Sequence, residues 1–455
     1  MPDLSVTFCG VRAPNPFWLA SAPPTNSEYQ VRRAFDAGWG GAVWKTLARE
    51  PIVNVSSRYG AVDYDGRKVM GLNNIELITD RSLDVNLAEI ARTKKAHPKH
   101  ALFVSLMEEP RAEAWQELTR KVQDAGADGV ELNFGCPHGM NERGMGSAVG
   151  QVPDYAKMIT GWVKDAATVP VMVKLTPNVT DVRTIGRAAV EGGADALSLI
   201  NTINSVMGID LDTLAPKPSV AGLGSHGGYC GPAVRPIALN MVAELANDPQ
   251  VRVPISGIGG IGAWQDAAEF LLLGAGTVQV CTAVMHYGFR VVDGLVSGLE
   301  GWMRDKGFER LDELVGRSAP RIKTWGDLDL NYKVVARIDQ SKCIHCGLCY
   351  IACEDGCHQS IRWDRAPAAE FAGSPLHTRS GGVDVMPGAG GGVVNVFTIK
   401  EDVCVGCNMC SLICPAEGCI TMTPVDTGRP PMTWNEYQAK LAAGEVEPIR
   451  PPEHA

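Results

Sequence analysis

Eight short apolar runs, each followed by an amphipathic stretch, fill the chain between residues 17 and 306, and few folds accommodate that rhythm. The runs are Phe17–Ser21, Gly41–Thr46, Ala101–Met107, Val130–Gly135, Val171–Thr176, Ala196–Thr202, Val253–Gly257 and Thr277–Ala283. The helical patterns lie near 27–37, 83–95, 111–125, 153–166, 182–191, 235–245, 263–273 and 289–306. Near-continuous apolar strands separated by helices signal a parallel sheet covered on both faces. Eight such units predict an α/β fold, a closed (β/α)8 TIM barrel, with a doubly wound open sheet as the runner-up. The phrases Ala-Gly-Ala-Asp at 125–128 and Gly-Gly-Ala-Asp at 192–195 each precede a strand, as helix-ending turns of repeated units do.

In such a barrel the chemistry belongs at the carboxyl ends of the strands. Strand two ends in Lys45-Thr46, strand four in Asn133-Phe134-Gly135-Cys136, strand five in Lys174 and strand six in Asn201-Thr202. The loop after strand two adds Asn73, Asn74 and Glu76. One lysine at a strand end is an ordinary surface charge; two lysines, several asparagines and a cysteine on one rim form a pocket. Cys136 is locked before Pro137, and glycines at 139, 144 and 146 follow. That pattern suits a proton donor held rigidly beneath a lid running from His138 to Gly150. The plainer reading is a strand, a turn and a buried small residue.

Strands seven and eight end in Gly257-Ile258-Gly259-Gly260 and Cys281-Thr282, the loops that usually cradle a phosphate in these barrels. Gly257, Gly259 and Gly262 also match the G-x-G-x-x-G dinucleotide fingerprint. No acidic residue ends the next strand to hold a ribose, and Gly222, Gly224 and Gly227 match equally well, so the fingerprint carries little. One phosphate fits better than NAD, and flavin mononucleotide has one.

The chain has 14 cysteines, eight of them in two compact runs. Cys343, Cys346, Cys349 and Cys353 are spaced x2, x2, x3; Cys404, Cys407, Cys410 and Cys414 repeat that spacing before Pro415. This is the two-cluster ferredoxin pattern, in which each [4Fe–4S] cube takes three thiolates from one run and the last from the other. Cys343, Cys346 and Cys349 thus pair with Cys414, and Cys404, Cys407 and Cys410 with Cys353. Zinc would favour two C-x2-C pairs. Glu354 stands where proline is usual after the first run, and Cys357 and Cys419 read as packing cysteines. The resulting domains are a catalytic barrel over 1–306, a linker over 307–335 with a short helix at Leu311–Val315, and a ferredoxin-like domain over 336–455. The latter carries an insertion over 354–403, glycine-rich at 381–392.

Composition narrows the function. A formal charge of −9 and a pI near 5.6 argue against a nucleic-acid surface. No run of 18 apolar residues predicts a membrane span, and the opening Met-Pro-Asp-Leu-Ser does not resemble an export signal, so a cytoplasmic location is expected.

The segments Asn-Phe-Gly-Cys-Pro-His-Gly-Met from 133, Asn73-Asn74-Ile75-Glu76-Leu77, Lys174-Leu-Thr-Pro-Asn-Val-Thr and Asn201-Thr-Ile-Asn, with the appended cysteine runs, resemble the dihydropyrimidine dehydrogenases. The likeness spans nearly the whole chain and is strongest to the pyrimidine-reducing subunit of the bacterial NAD-dependent enzymes. It implies interconversion of uracil or thymine with the 5,6-dihydro forms on an FMN-binding barrel. Cys136 would be the general acid at pyrimidine C5, with hydride passing between FMN N5 and C6. Asn74, Asn133, Asn201 and Thr202 would hold the ring. Ser21, Lys45, Thr46, Glu76, Lys174 and Gly228 would contact the flavin, and Gly259, Gly260, Cys281 and Thr282 its phosphate. NAD(H) would be used only through a separate FAD/NAD-binding flavoprotein subunit, making a hetero-oligomer, because nothing here matches the amino-terminal flavin region of the single-chain enzymes.

General chemistry points the same way. An unperturbed thiol, with a pKa of about 8.5, is protonated at neutral pH and can donate. Asparagine offers both a donor and an acceptor to the alternating amide edge of a pyrimidine. A lysine beside a flavin stabilises the reduced anion, and a flavin joins one-electron clusters to two-electron chemistry. The rival readings are a tRNA dihydrouridine synthase, a dihydroorotate dehydrogenase with a fused ferredoxin, and a non-catalytic electron-carrier subunit. Acidic charge and the cysteine runs disfavour the first. The second needs a cationic or amide pocket for the orotate carboxylate, and the third leaves Lys45, Cys136 and Lys174 without a purpose.

Overall fold

The computed structural model describes residues 1–62, 70–137, 144–367, 370 and 393–448. It divides into two units, Met1–Ile322 and Lys323–Ala455.

The first unit is a closed barrel of eight parallel strands in sequential order. The strands are β1 (Phe17–Leu19), β2 (Gly41–Leu47), β3 (Ala101–Leu106), β4 (Gly129–Asn133), β5 (Val171–Lys174), β6 (Ala196–Leu199), β7 (Ile255–Ile258) and β8 (Ala275–Val280). The helices are α1 (Glu28–Ala37), α2 (Leu83–Ala96), α3 (Ala112–Asp124), α4 (Pro153–Lys164), α5 (Val182–Glu191), α6 (Arg235–Ala246), α7 (Trp264–Leu272) and α8 (Val291–Lys306). All eight expected strand–helix units are present, so the open-sheet alternative falls. Several strands stop earlier than their apolar runs: β4 ends at Asn133 and β6 at Leu199. Local chemistry sets the helix ends. Ser27 caps α1 by accepting from the Gln30 amide, and Gly38 closes it at φ 109°, where a side chain would be strained.

What reads in the sequence as continuous apolar strand alternates in three dimensions. Ala42, Trp44, Leu102, Val104, Leu106, Val130, Leu132, Val171 and Val173 join the large core shared with the helices. Their neighbours Trp18, Val43, Ala101, Phe103, Met172 and Ala196 form a separate cluster with Phe8 and Ala13 of an amino-terminal hairpin, Val6–Phe8 with Val11–Ala13. Trp18 packs on Phe8 and Phe103 with ring centroids 5.6 and 5.3 Å apart. Further along the same strands the buried residues turn polar: Ser105, Glu131, Ser198, Ser256, Thr277 and Gln279. The apolar layer seals one end of the barrel, and the polar layers lead toward the other.

Two excursions from the carboxyl ends of the strands build a four-stranded antiparallel sheet, in the order Ile203–Ser205, Gly227–Cys230, Leu72–Asn74, Tyr59–Ala61. Sequence periodicity gave no sign of it, because each strand is only three or four residues long. Residues 307–322, the start of the expected linker, pack on the barrel: Leu311, Leu314 and Ala319 are buried, and Gly316 donates its N–H to the Leu271 carbonyl at 2.9 Å. The short helix expected there is a 3-10 turn over Leu311–Glu313.

The second unit repeats one motif twice. Strand β9 (Lys333–Ile338), the first cysteine run, helix α9 (Leu348–Glu354) and strand β10 (Ile361–Pro367) form one half. Strand β11 (Val393–Ile399), the second run, helix α10 (Met409–Ile413) and strand β12 (Ile420–Val425) form the other. β9 pairs with β12 and β10 with β11, both antiparallel, interlocking the halves in a ferredoxin-like arrangement. Its small core consists largely of cysteines with Val335, Ala336, Ile361, Phe397 and Ile420. A core so small buries little apolar surface. A last helix, α11 (Trp434–Ala442), begins with a capping box between Thr433 and Glu436. The β10–β11 hairpin lies in the expected 354–403 insertion; residues 371–392 of it fall outside the described residues, as do 138–143 of the expected lid. Among the described residues no helix is long and apolar enough to cross a membrane.

Candidate active site

The polar end of the barrel opens into a cavity of about 220 Å³. Its wall contains Ser21, Lys45, Thr46, Asn74, Glu76, Asn133, Cys136, Lys174, Asn201, Thr202, Gly259, Gly260, Cys281 and Thr282. Asn73 of the expected rim lies outside this wall and donates to Ser205 Oγ at 2.9 Å, and of the residues expected to contact substrate or flavin all are brought to one space except Gly228. That glycine is buried in the excursion sheet as a pairing partner of Asn74. A Cβ there would lie 2.1 Å from Thr202 Oγ1, so the glycine leaves room for the Thr202 side chain.

A chain of hydrogen bonds joins four strand ends. Ser21 Oγ lies 3.1 Å from Thr46 Oγ1, which accepts from Asn133 Nδ2 at 3.1 Å. Asn133 Oδ1 accepts from Asn201 Nδ2 at 2.9 Å, and Asn201 Oδ1 accepts from the Thr202 amide at 2.9 Å. Each amide is thereby oriented before any ligand arrives, which lowers the entropy lost on binding. Asn74 donates through Nδ2 to the Gly228 carbonyl at 3.1 Å. Asn178, which sequence reading passed over, donates to the Thr202 carbonyl at 3.1 Å and to Thr176 Oγ1 at 3.0 Å. It braces the strand-six loop.

Cys136 is 8% exposed and packs with Ala48, Ile78, Met107 and Met145. Its carbonyl accepts from the Ser147 amide at 3.0 Å, where a one-turn helix, Ser147–Gly150, begins. The backbone just after the thiol is thus held twice, by Pro137 and by this bond.

Two lysine–glutamate pairs flank the cavity. Lys45 Nζ contacts Glu76 Oε1, and Arg58 lies 3.5 Å from the same oxygen. Lys174 Nζ lies 3.8 Å from Glu131 Oε1, with both side chains almost wholly buried. After β7, Gly259 and Gly260 take φ of 134° and 73°, conformations that favour glycine. A Cβ on Gly260 would meet Arg235 Cβ at 2.8 Å. Burial pushes the Cys281 thiol up to about 12, with Cys230 adding to the effect, so Cys281 stays protonated. The wall also includes Tyr59, Tyr229, Gln279 and His286, which the sequence did not single out. Their signal was weak: two lie in short excursion strands and one faces inward from an apolar run.

In the second unit, Cys353 lines one cavity with Cys404, Cys407 and Cys410, the cross-run grouping expected from the spacing. Cys357 borders the same cavity. Cys419 is buried, its Sγ 3.6 Å from the Asp339 carbonyl. Among the described residues no three donors converge on a point where a single ion could sit.

A (β/α)8 barrel with one polar, thiol-bearing pocket at the carboxyl ends of its strands is the kind of protein that this fold and wall define. The sequence profile of the family described as dihydroorotate dehydrogenase matches residues 3–303. The chain belongs to that family. It is 45% identical over 362 residues to the NAD-dependent dihydropyrimidine dehydrogenase subunit PreA of Escherichia coli (strain K12), covering 79% of this chain and 88% of that protein. It is 44% identical over 338 residues to the chloroplastic dihydropyrimidine dehydrogenase (NADP(+)) of Arabidopsis thaliana, covering 72% and 79%. The dihydroorotate dehydrogenase B (NAD(+)) catalytic subunit of Thermococcus kodakarensis is 36% identical over 325 residues, covering 69% and 97%.

Proposed function

We propose that this chain interconverts uracil or thymine with the corresponding 5,6-dihydropyrimidine. The observation that carries the reading is one cavity wall that sets the buried thiol of Cys136, at the end of β4, beside the pre-oriented amides of Asn74, Asn133 and Asn201; the thiols of Cys230 and Cys281 also line it, from the segments that precede α6 and follow β8. An amide offers one donor and one acceptor, which matches the carbonyl and N–H groups of a pyrimidine edge. Cys136, held by Pro137 and the Ser147 amide, is the group that gives a proton to ring C5 or takes it back. The two dihydropyrimidine dehydrogenase relatives, each at 44–45% identity, support the same substrate class.

The wall fits FMN. Lys45 and Lys174 supply cations for an anionic reduced ring, Ser21, Thr46 and Thr202 supply hydroxyls, and Gln279 Oε1 is a buried acceptor with no hydrogen-bond partner in the protein. Gly259, Gly260, Cys281 and Thr282 are the residues assigned to its phosphate. Bound there, FMN would exchange hydride with pyrimidine C6 and link that two-electron step to one-electron carriers. The eight cysteines of the two runs would hold two [4Fe–4S] clusters, which would supply one-electron transfer to a separate FAD- and NAD-binding flavoprotein subunit in a hetero-oligomer. We assign the protein to the cytoplasm.

The test is anaerobic titration of the reconstituted, dye-reduced protein with uracil, thymine and orotate. Reoxidation by uracil or thymine supports the reading. Reoxidation by orotate alone would place the chain with its dihydroorotate-oxidising relatives and overturn it.

A further inference from the structure

Glu131 lies on β4 two residues before Asn133 and is 0% exposed. A carboxylate buried that deeply is costly unless it is paired and hydrogen-bonded. Its Oε2 accepts from Ser198 Oγ at 2.9 Å and from Gln279 Nε2 at 3.5 Å. Gln279 also donates to Ser256 Oγ at 3.1 Å, which accepts from Thr277 Oγ1 at 2.9 Å. The other oxygen, Oε1, accepts no hydrogen bond and lies 3.8 Å from Lys174 Nζ. Strand register makes this placement firm: Asn133 and Ser198 are the two register partners of Lys174, on either side.

The cavity therefore has two lysines balanced in different ways. Lys45 is answered by Glu76, which is itself part of the wall. Lys174 is answered by Glu131, which is not in the wall and lies within the barrel interior behind it. Glu131 touches the cavity only through Lys174 and Gln279, both of which line it.

We infer that Glu131 is a positioning residue that holds Lys174 at the rim and offsets its charge, so setting the potential that the cavity imposes on a bound flavin. The inference rests on the FMN reading above. With Glu131 ionised, the Lys174–Glu131 pair is neutral overall and stabilises a reduced anion only through its nearer, positive end. Replacing Glu131 by glutamine keeps shape and the acceptor for Ser198 but removes the offsetting charge. The full cation then faces the cavity, and reduction becomes easier.

The experiment is the flavin midpoint potential of the holoenzyme and of Glu131→Gln, measured by dye equilibration, after flavin content has been established by release on denaturation. Glu131→Gln is expected to favour the reduced state by about tenfold, equal to about 30 mV for a two-electron couple. In a Lys174→Gln background the same change is expected to have a much smaller effect, because a carboxyl buried without its cation takes up a proton and then has no charge for the substitution to remove. An unchanged potential in Glu131→Gln, or an equal shift in both backgrounds, overturns the inference. Should Glu131→Gln not fold, Glu131→Gln with Lys174→Met removes both charges, and recovery of folded protein supports the pairing while continued misfolding overturns it. A wild-type protein that takes up no flavin defeats the FMN reading itself, a result separate from these.

Discussion

Asn201 donates through Nδ2 to Asn133 Oδ1 at 2.9 Å, joining the end of β4 to the segment after β6 across β5. That contact is open only because residue 135 is glycine: a Cβ there would sit 2.4 Å from both Cβ and Nδ2 of Asn201. Gly135→Ala should therefore push the two strand ends apart, costing about 1–3 kcal/mol as overpacked sites do. A lowered melting temperature with a raised KM for the pyrimidine is the expected result; a variant with wild-type KM would mean the contact does not orient substrate.

Cys136→Ala removes one small side chain from a pocket of Ala48, Ile78, Met107 and Met145. The fold and both cofactor types should be retained, read from flavin and iron content. Turnover should fall by about 10²–10⁴, the usual contribution of a positioned general acid. Activity within a few-fold of wild type would remove Cys136 from that role.

The cross-run pairing of cysteines makes a prediction that within-run pairing does not. Cys353 shares a cavity with Cys404, Cys407 and Cys410. Cys343→Ser and Cys353→Ser together should disable both clusters and strip nearly all the iron, although both residues lie in the first run. If the double variant keeps half of its iron, each run holds its own cluster.

His100 lies against Phe35, ring centroids 4.6 Å apart and stacked, and its Nδ1 is buried without a hydrogen-bond partner. Burial, aided by His97 and Lys94, lowers its pKa from 6.5 to about 4. The unfolded chain then binds a proton that the folded protein refuses between those values. Stability from this site is complete above pH 6.5 and is lost as pH falls toward 4. Replacing His100 with glutamine should flatten that part of the stability–pH curve, measured by urea unfolding from pH 7 to 4. An unaltered slope would show that other groups set the acid limb.

The order and spacing of residues along the chain settled a good deal. Eight apolar runs with helical partners admit few closed solutions, since each parallel strand must be covered on both sides. Cys-x2-Cys-x2-Cys-x3-Cys, repeated, limits the ligand chemistry through the reach of short loops. Lys45, Asn133, Cys136, Lys174 and Asn201 were legible because strand ends in a barrel share one rim. Closure of the barrel and its excursions decided the rest. Val-Glu-Leu-Asn reads as apolar strand, yet alternation sends Glu131 inward to Lys174 while Val130 and Leu132 enter the outer core. Three-residue strands carry no periodicity, so the sheet that places Asn74 beside Gly228 emerges only from long-range pairing. Residues 307–322 look polar and loose in sequence, but Leu311 and Leu314 find the barrel surface, a partner that local pattern cannot reveal. Spacing fixes what lies within a few residues; burial against distant segments is decided only when the chain closes on itself.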